Sequence, residues 1–235
     1  DFFYGRDVLE AMAKSRPDGK LDYDSVAAID LPALATCVRD LMETGHARIP
    51  VFDFVTGYTT EYRDLTVPDG VEPIFLFEGI QAVYPEVAAL FAGIPERSIF
   101  INVMKETVLV SPDGTERVFA PDDIRLLRRL VRDEAKRGTS PDFTLTLWHS
   151  VRDNEVKSIY PYAHTCDYGI DSNMAFDIHM LAPHLRRIFS EQPCDGEEIA
   201  AQNEILASIQ GVEGIDDACL AENSLYHEFI PLKRI

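Results

Sequence analysis

The stretch Glu72-Pro73-Ile74-Phe75-Leu76-Phe77-Glu78-Gly79-Ile80 carries four consecutive large apolar residues and ends on an acid and a glycine. A short unbroken apolar run of this kind is the signature of a parallel strand covered on both faces, because neither side alternates to polar. The pattern recurs from Arg97 to Met104, and Ala47 to Phe54 is a shorter apolar segment with Pro50 inside it. Helical patterns lie between these strand candidates. Leu34, Cys37, Val38, Leu41 and Met42 fall on one helical face, with Asp30 and Pro32 at its start and Gly45 at its stop. The alternation of strands with helices, without an internal repeat, indicates an α/β fold with a mostly parallel sheet. In such sheets ligands bind beyond the C-terminal ends of the strands.

Downstream, Thr107 to Ala120 alternates around Pro112-Asp113-Gly114, a hairpin signal. The best-specified helix follows, from Pro121 to Arg137. Pro121 suits a first-turn position, Asp122 and Asp123 complement the positive helix end, Lys136 and Arg137 the negative end, and Gly138 stops it. Further helical patterns are expected from Pro141 through Trp148 to Val156, from Met174 to Phe189 and from Glu197 to Gln210, with a short strand at Tyr168 to Ile170.

The chain of 235 residues has 22 Lys and Arg against 40 Asp and Glu, a formal charge of -18. That balance argues against a broad nucleic-acid backbone interface. No run approaches the roughly 20 apolar residues of a membrane span. Cys37, Cys166, Cys194 and Cys219 show no metal-finger spacing and are expected to be reduced, buried thiols of a cytoplasmic protein. The six histidines have no metal-site spacing and are expected to be structural.

Two patterns can carry chemistry. Asp1, before an aromatic pair, and Glu78, after the apolar run, are strand-end carboxylates that can hold Mg²⁺ or accept a proton; a solvated loop acid is the plainer alternative for each. Arg125, Arg128, Arg129, Arg132 and Lys136 form a cationic stripe on the Pro121 helix. Arginine forks match phosphate oxygens, whereas the competing reading is a solvated face pairing with acids such as Asp133 and Glu134.

Taken in order, Asp1-Phe2-Phe3-Tyr4, Tyr23-Asp24-Ser25-Val26-Ala27-Ala28-Ile29-Asp30, Ile49-Pro50-Val51-Phe52-Asp53-Phe54, Phe77-Glu78-Gly79-Ile80 and Arg125 to Gly138 resemble the uridine kinase and phosphoribulokinase branch of the P-loop kinases. Leu147 to Arg152 and Ile159 to Tyr162 resemble a bacterial nucleoside kinase subgroup, extending the likeness to about residue 190.

The resemblance implies a three-layer P-loop kinase-like fold with an inserted hairpin at 107–120 and a helical lid region at 121–150, all in a single domain over 1–235. It implies transfer of the ATP γ-phosphoryl group, assisted by Mg²⁺, to a hydroxyl of a nucleoside or a related sugar or polyol. Asp1 and Arg132 would be catalytic, Asp1 and Glu78 the metal-holding pair, and Arg132 and Arg137 the phosphate-binding lid residues. Tyr4, Tyr23, Asp24, Phe52, Phe54 and Arg129 would contact substrate. The expected partners are a small molecule and, since family members often self-associate, a second copy of the chain; neither nucleic acid nor membrane is expected.

Three departures from the family pattern stand out. No GxxxxGK[ST] loop occurs in the 235 residues, so the opening strand and phosphate loop are expected to precede Asp1. Gly57 and Leu147 stand where pyrimidine-reading His and Gln residues sit in uridine-cytidine kinases, and Phe52 replaces a Tyr, which removes polar discrimination of the base. The hairpin is additional to the shorter uridine kinases. The alternative reading is a catalytically inactive binding or regulatory module that keeps the substrate pocket without ATP turnover.

Overall fold

Residues 1–4 run extended and meet residues 28–30 through an antiparallel bridge between Phe3 and Ile29, with the Tyr4 N–H donating to Ala28 O at 3.0 Å and the Asp30 N–H to Phe2 O at 2.9 Å. The computed structural model describes residues 1–15, 25–94 and 96–231. In chain order the elements are α1 (Arg6–Ser15), α2 (Leu31–Thr44), β1 (His46–Asp53), β2 (Tyr58–Thr66), α3 (Pro85–Ala88), β3 (Ile99–Asn102), β4 (Thr107–Val110), β5 (Glu116–Phe119), α4 (Pro121–Arg137), α5 (Pro141–Asn154), α6 (Tyr160–Ala163), β6 (Tyr168–Asp171), α7 (Asp177–Glu191) and α8 (Glu198–Ser208). A π-helical turn, Glu155–Ile159, joins α5 to α6. The chain is thus α/β. Parallel pairing is represented among the described residues by β3 and β6, with Ile99 opposite Tyr168 and Asn102 opposite Asp171; β1–β2 and β4–β5 are antiparallel.

The chain divides into two units, residues 1–98 with 150–167, and residues 99–149 with 168–235. In the first, α2 begins where the Asp30 carboxylate accepts from the Ala33 N–H at 3.0 Å and ends at Gly45, whose φ of 69° supplies the left-handed cap that side chains disfavour. Its buried face, Cys37 and Leu41, packs with Ala47 of β1 and with Phe2, Ile49, Phe75 and Phe77. Strand β2 was not foreseen. Tyr58–Thr66 is mostly exposed and mixes charges with Thr and Tyr, so it offers no apolar face to read, and its position is set by the turn from β1.

The expected strand at 72–80 is not formed: residues 71–79 belong to no helix or ladder. Phe75 and Phe77 pack inward, while Ile74 and Leu76 are 98% and 89% exposed. The run is therefore covered on one side, and its continuous hydrophobicity misled because a two-sided and a one-sided apolar run look alike in sequence. Cys219 is also exposed, against the expectation of burial, whereas Cys37 and Cys194 are buried.

The second unit holds the larger core. Ile124, Leu127, Leu130 and Val131 of α4 meet Ile178, Leu181, Leu185 and Ile188 of α7, with Ile205, Ile209 and Tyr226 closing over them. The hairpin is as read. The Ser111–Thr115 turn closes with the Ser111 N–H on Thr115 O at 2.9 Å, Gly114 has φ 84°, and the Asp113 carboxylate accepts from the Thr115 N–H. From β5, Arg117 Nη1 donates to Ser208 O at 2.9 Å and Gln210 O at 2.7 Å; from α7, Arg186 Nη2 donates to Ile209 O at 2.7 Å and Val212 O at 2.8 Å. Arg117 thus reaches the carbonyl of Ser208, the last residue of α8, and Arg186 that of Ile209, its C-terminal cap, two cations at the negative end of the helix.

Candidate active site

In the first unit, the extended opening residues, the start of α2 and the β1–β2 sheet enclose a cavity of about 570 Å³, lined by Asp1, Phe3, Asp30, Thr36, Arg48 and Tyr62 among others. That volume suits a small molecule. Arg48 lies over the Tyr62 ring at 4.7 Å. Asp1 thus lines this cavity. Glu78 belongs to the same unit. Among the described residues no group of three or more His, Cys, Asp or Glu side chains could hold a metal. Two carboxylates nevertheless fit Mg²⁺, which keeps several waters and takes the rest of its oxygens from phosphates rather than from a protein cage.

Beside this, Phe3, Phe52 and Phe54 form a triangle of edge-on and tilted rings, with centroids 5.4, 5.9 and 5.2 Å apart. Phe52 and Phe54, two positions apart, share one face at the end of β1, next to a register shift between Val51 and Phe52. The following turn is held by the Asp53 carboxylate, which accepts from the Val55 N–H at 2.8 Å and the Thr56 N–H at 3.4 Å, and these bonds hold its pKa below the usual carboxylate range. Gly57 closes the turn at φ 78°, and a Cβ there would stand 2.9 Å from Arg6 Nε. The position that the resemblance matches to a pyrimidine-reading His is held here in a left-handed backbone conformation that favours glycine. Tyr4 is half-buried, anchored by its backbone to Ala28. Tyr23 and Asp24 lie outside the described residues.

The remaining predicted residues are in the second unit, on α4. Arg129 Nε contacts Asp133 Oδ2 at 3.2 Å, Arg132 Nε contacts Asp133 Oδ1 at 3.3 Å, and Arg137 Nη1 contacts Asp133 Oδ1 at 3.1 Å. Three guanidiniums thus share one carboxylate in a chain of net charge -18, with the Glu228 charge also acting on Arg137. Burial, and next the neighbouring Arg132, lower the pKa of Arg137, while the charges of Asp133 and Glu228 raise it. The stripe is not uniform, however. Arg128, which the spacing groups with the others, turns inward: its Nε and Nη2 grip the Asp177 carboxylate at 2.9 and 2.7 Å, Nη2 also reaches Ser172 O at 2.7 Å, and the guanidinium lies 5.2 Å from the Phe229 ring. Tyr226 donates to the same Asp177, and its hydroxyl pKa is pushed up by burial and by that charge. Arg125 pairs with Asp122 at 3.2 Å and lies 5.6 Å from the Trp148 ring.

Comparison with known proteins places these features in a family context. A family model described as "Phosphoribulokinase / Uridine kinase family" matches residues 5–179. Among curated relatives, a uridine kinase of Lactobacillus johnsonii is 28% identical over 195 residues, covering 81% of this chain and 79% of that protein. A uridine kinase of Saccharomyces cerevisiae is 26% identical over 168 residues, 70% of this chain and 29% of that protein. The uridine-cytidine kinase 2-B of Danio rerio is 31% identical over 140 residues, 59% of this chain and 44% of that protein. The chain therefore spans most of the bacterial relative and less than half of the other two.

Proposed function

The chain belongs to the phosphoribulokinase and uridine kinase family, and on that footing we propose that it is an ATP-dependent small-molecule kinase, with a nucleoside or a related sugar or polyol as acceptor. The observation that carries the proposal is the crowding of Arg129, Arg132 and Arg137 on a single carboxylate, a cationic focus that an otherwise strongly acidic chain has little reason to assemble except to meet phosphate.

In this reading the acceptor hydroxyl sits beside Asp1 and its oxygen attacks the γ-phosphorus of ATP. The bond from that phosphorus to the bridging β-phosphate oxygen breaks, ADP leaves, and the hydroxyl proton passes to the Asp1 carboxylate. Arg132 and Arg137 bind the phosphates and offset the charge that spreads over their oxygens. Mg²⁺, held by Asp1 and Glu78, would supply further neutralisation. The Phe3, Phe52 and Phe54 rings, with Tyr4, Tyr23, Asp24 and Arg129, bind and orient the acceptor; the aromatic surface favours one with a flat face, and Asp24 and Arg129 suit sugar hydroxyls. Hairpin 107–120 and lid region 121–150 are assigned to one kinase domain with the rest of the chain. No helix among the described residues is long and apolar enough to cross a membrane.

The test is ADP release by the full-length protein with Mg-ATP across a panel of nucleosides, sugars and polyols. Turnover with one acceptor class identifies the substrate, and a complete absence of acceptor-dependent ADP overturns the proposal.

A further inference from the structure

We infer that Asp133 is a positioning residue whose carboxylate gathers Arg132 and Arg137 into a preformed cradle for the phosphate chain and fixes the acceptor-binding Arg129 beside them. This rests on the phosphate-binding role proposed above for the lid arginines, and it assigns to the one acid among them a task opposite to its charge.

Asp133 has a side chain only 4% exposed, deeper than any of the three arginines it holds. An acid placed there simply to neutralise a solvated face would lie at the surface, where pairing is weak and loosely oriented. Instead both of its oxygens are used: Oδ1 takes Arg132 and Arg137, Oδ2 takes Arg129, and the Thr144 hydroxyl donates to Oδ2 at 3.5 Å from the neighbouring α5. Arg129 and Arg132 both contact it through Nε, so neither terminal nitrogen of these two forks is spent on the acid. A planar fork pinned at Nε has its terminal donors fixed in direction, which is the geometry that bidentate phosphate recognition needs. Three like charges would otherwise splay apart. Asp133 holds them together before any ligand arrives, so less ordering is required on binding.

The experiment separates charge from geometry because the two predict opposite signs. Inorganic pyrophosphate without added metal is titrated calorimetrically into the full-length protein and into Asp133→Asn, with thermal melting to establish that the variant is folded. Removing a negative charge next to an anion site should tighten pyrophosphate by simple Coulomb attraction. Loss of positioning should weaken it, by about 10-fold for a cradle displaced by a fraction of an ångström. Weaker binding by folded Asp133→Asn supports the inference; equal or tighter binding overturns it.

If Asp133→Asn does not fold, Thr144→Val decides. It removes only the hydroxyl that orients Oδ2, with an expected loss of about 2- to 3-fold, as for one modest hydrogen bond. Unchanged affinity in Thr144→Val then overturns the inference. Failure of the wild-type protein to bind pyrophosphate at all is a separate result: it removes the phosphate role of the arginines, and this inference with it.

Discussion

Arg128 and Arg132 stand one helical turn apart on α4, yet their replacement should have opposite consequences. Arg128 and Asp177 are 7% and 0% exposed in their side chains, so solvent does little to screen the pair. Substituting Arg128→Leu leaves the Asp177 carboxylate with the Tyr226 hydroxyl and the Met174 N–H as its remaining donors, and no cation. Removing one partner of a buried pair costs about 3–5 kcal/mol, because the other charge stays desolvated and uncompensated. For a chain of this size, about 2–4 °C in melting temperature accompanies each kcal/mol, so the midpoint should fall by roughly 6–20 °C. The assay is calorimetric or circular-dichroism melting at neutral pH, paired with pyrophosphate titration at a temperature where the variant is folded. Stability should fall and affinity should stay within about twofold, since Arg128 points into the α4–α7 core. A loss under about 1 kcal/mol, or an affinity loss equal to that of an Arg132 variant, would refute the assignment of a structural role to Arg128 and a ligand-facing one to Arg132. Replacing both partners, Arg128→Leu with Asp177→Leu, should recover part of the loss, because the desolvation penalty leaves with the charges.

Three further expectations follow from the same geometry. Arg132→Gln should lower kcat/KM of the full-length kinase by about 10²–10³-fold, the cost of losing one preorganised donor to developing charge, while moving the melting temperature little; a small kinetic effect would take Arg132 out of catalysis. Gly57→Ala should destabilise by about 1–2 kcal/mol in denaturant titration, because the φ of 78° is costly for any residue with a Cβ; no change would mean that the turn relaxes freely. Asp171 and Asp167 have pKa values held below the usual carboxylate range by backbone N–H donors, from Met104 and Asn173 for the first and from Ser98 for the second. A depressed folded-state pKa contributes stability that is present above the unfolded value of about 3.9 and lost as pH falls through the folded value, so melting profiles should decline below about pH 4. Asp171→Asn and Asp167→Asn should flatten that decline, and an unchanged acid limb would contradict the assignment.

The legibility of this chain varied with how local the determining physics is. Helix α4 was readable to the residue because Pro121, the paired Asp122 and Asp123, Lys136, Arg137 and Gly138 each mark an end by their own chemistry. The hairpin at 107–120 was readable for the same reason, its turn residues fixing the backbone directly. Residues 72–80 were misread because burial of an apolar run is decided by what lies across from it, which Ile74 and Leu76 do not reveal. For the candidate site, the arginine stripe was visible from spacing alone. What each arginine faces was not: Arg128 meets Asp177, 49 positions away, while Asp133, plausible as a neutralising neighbour, proves to be the buried hub of three contacts.

The double capping of α8 has an implication for how such chains gain and lose parts. Because Arg117 projects from the hairpin onto the oxygens of Ser208 and Gln210, the hairpin is wired to an element some 90 positions further along. Trimming residues 107–120 to imitate a shorter kinase would strand those two oxygens without their donor. The hairpin and the end of that helix therefore form one exchangeable module, to be grafted or deleted together.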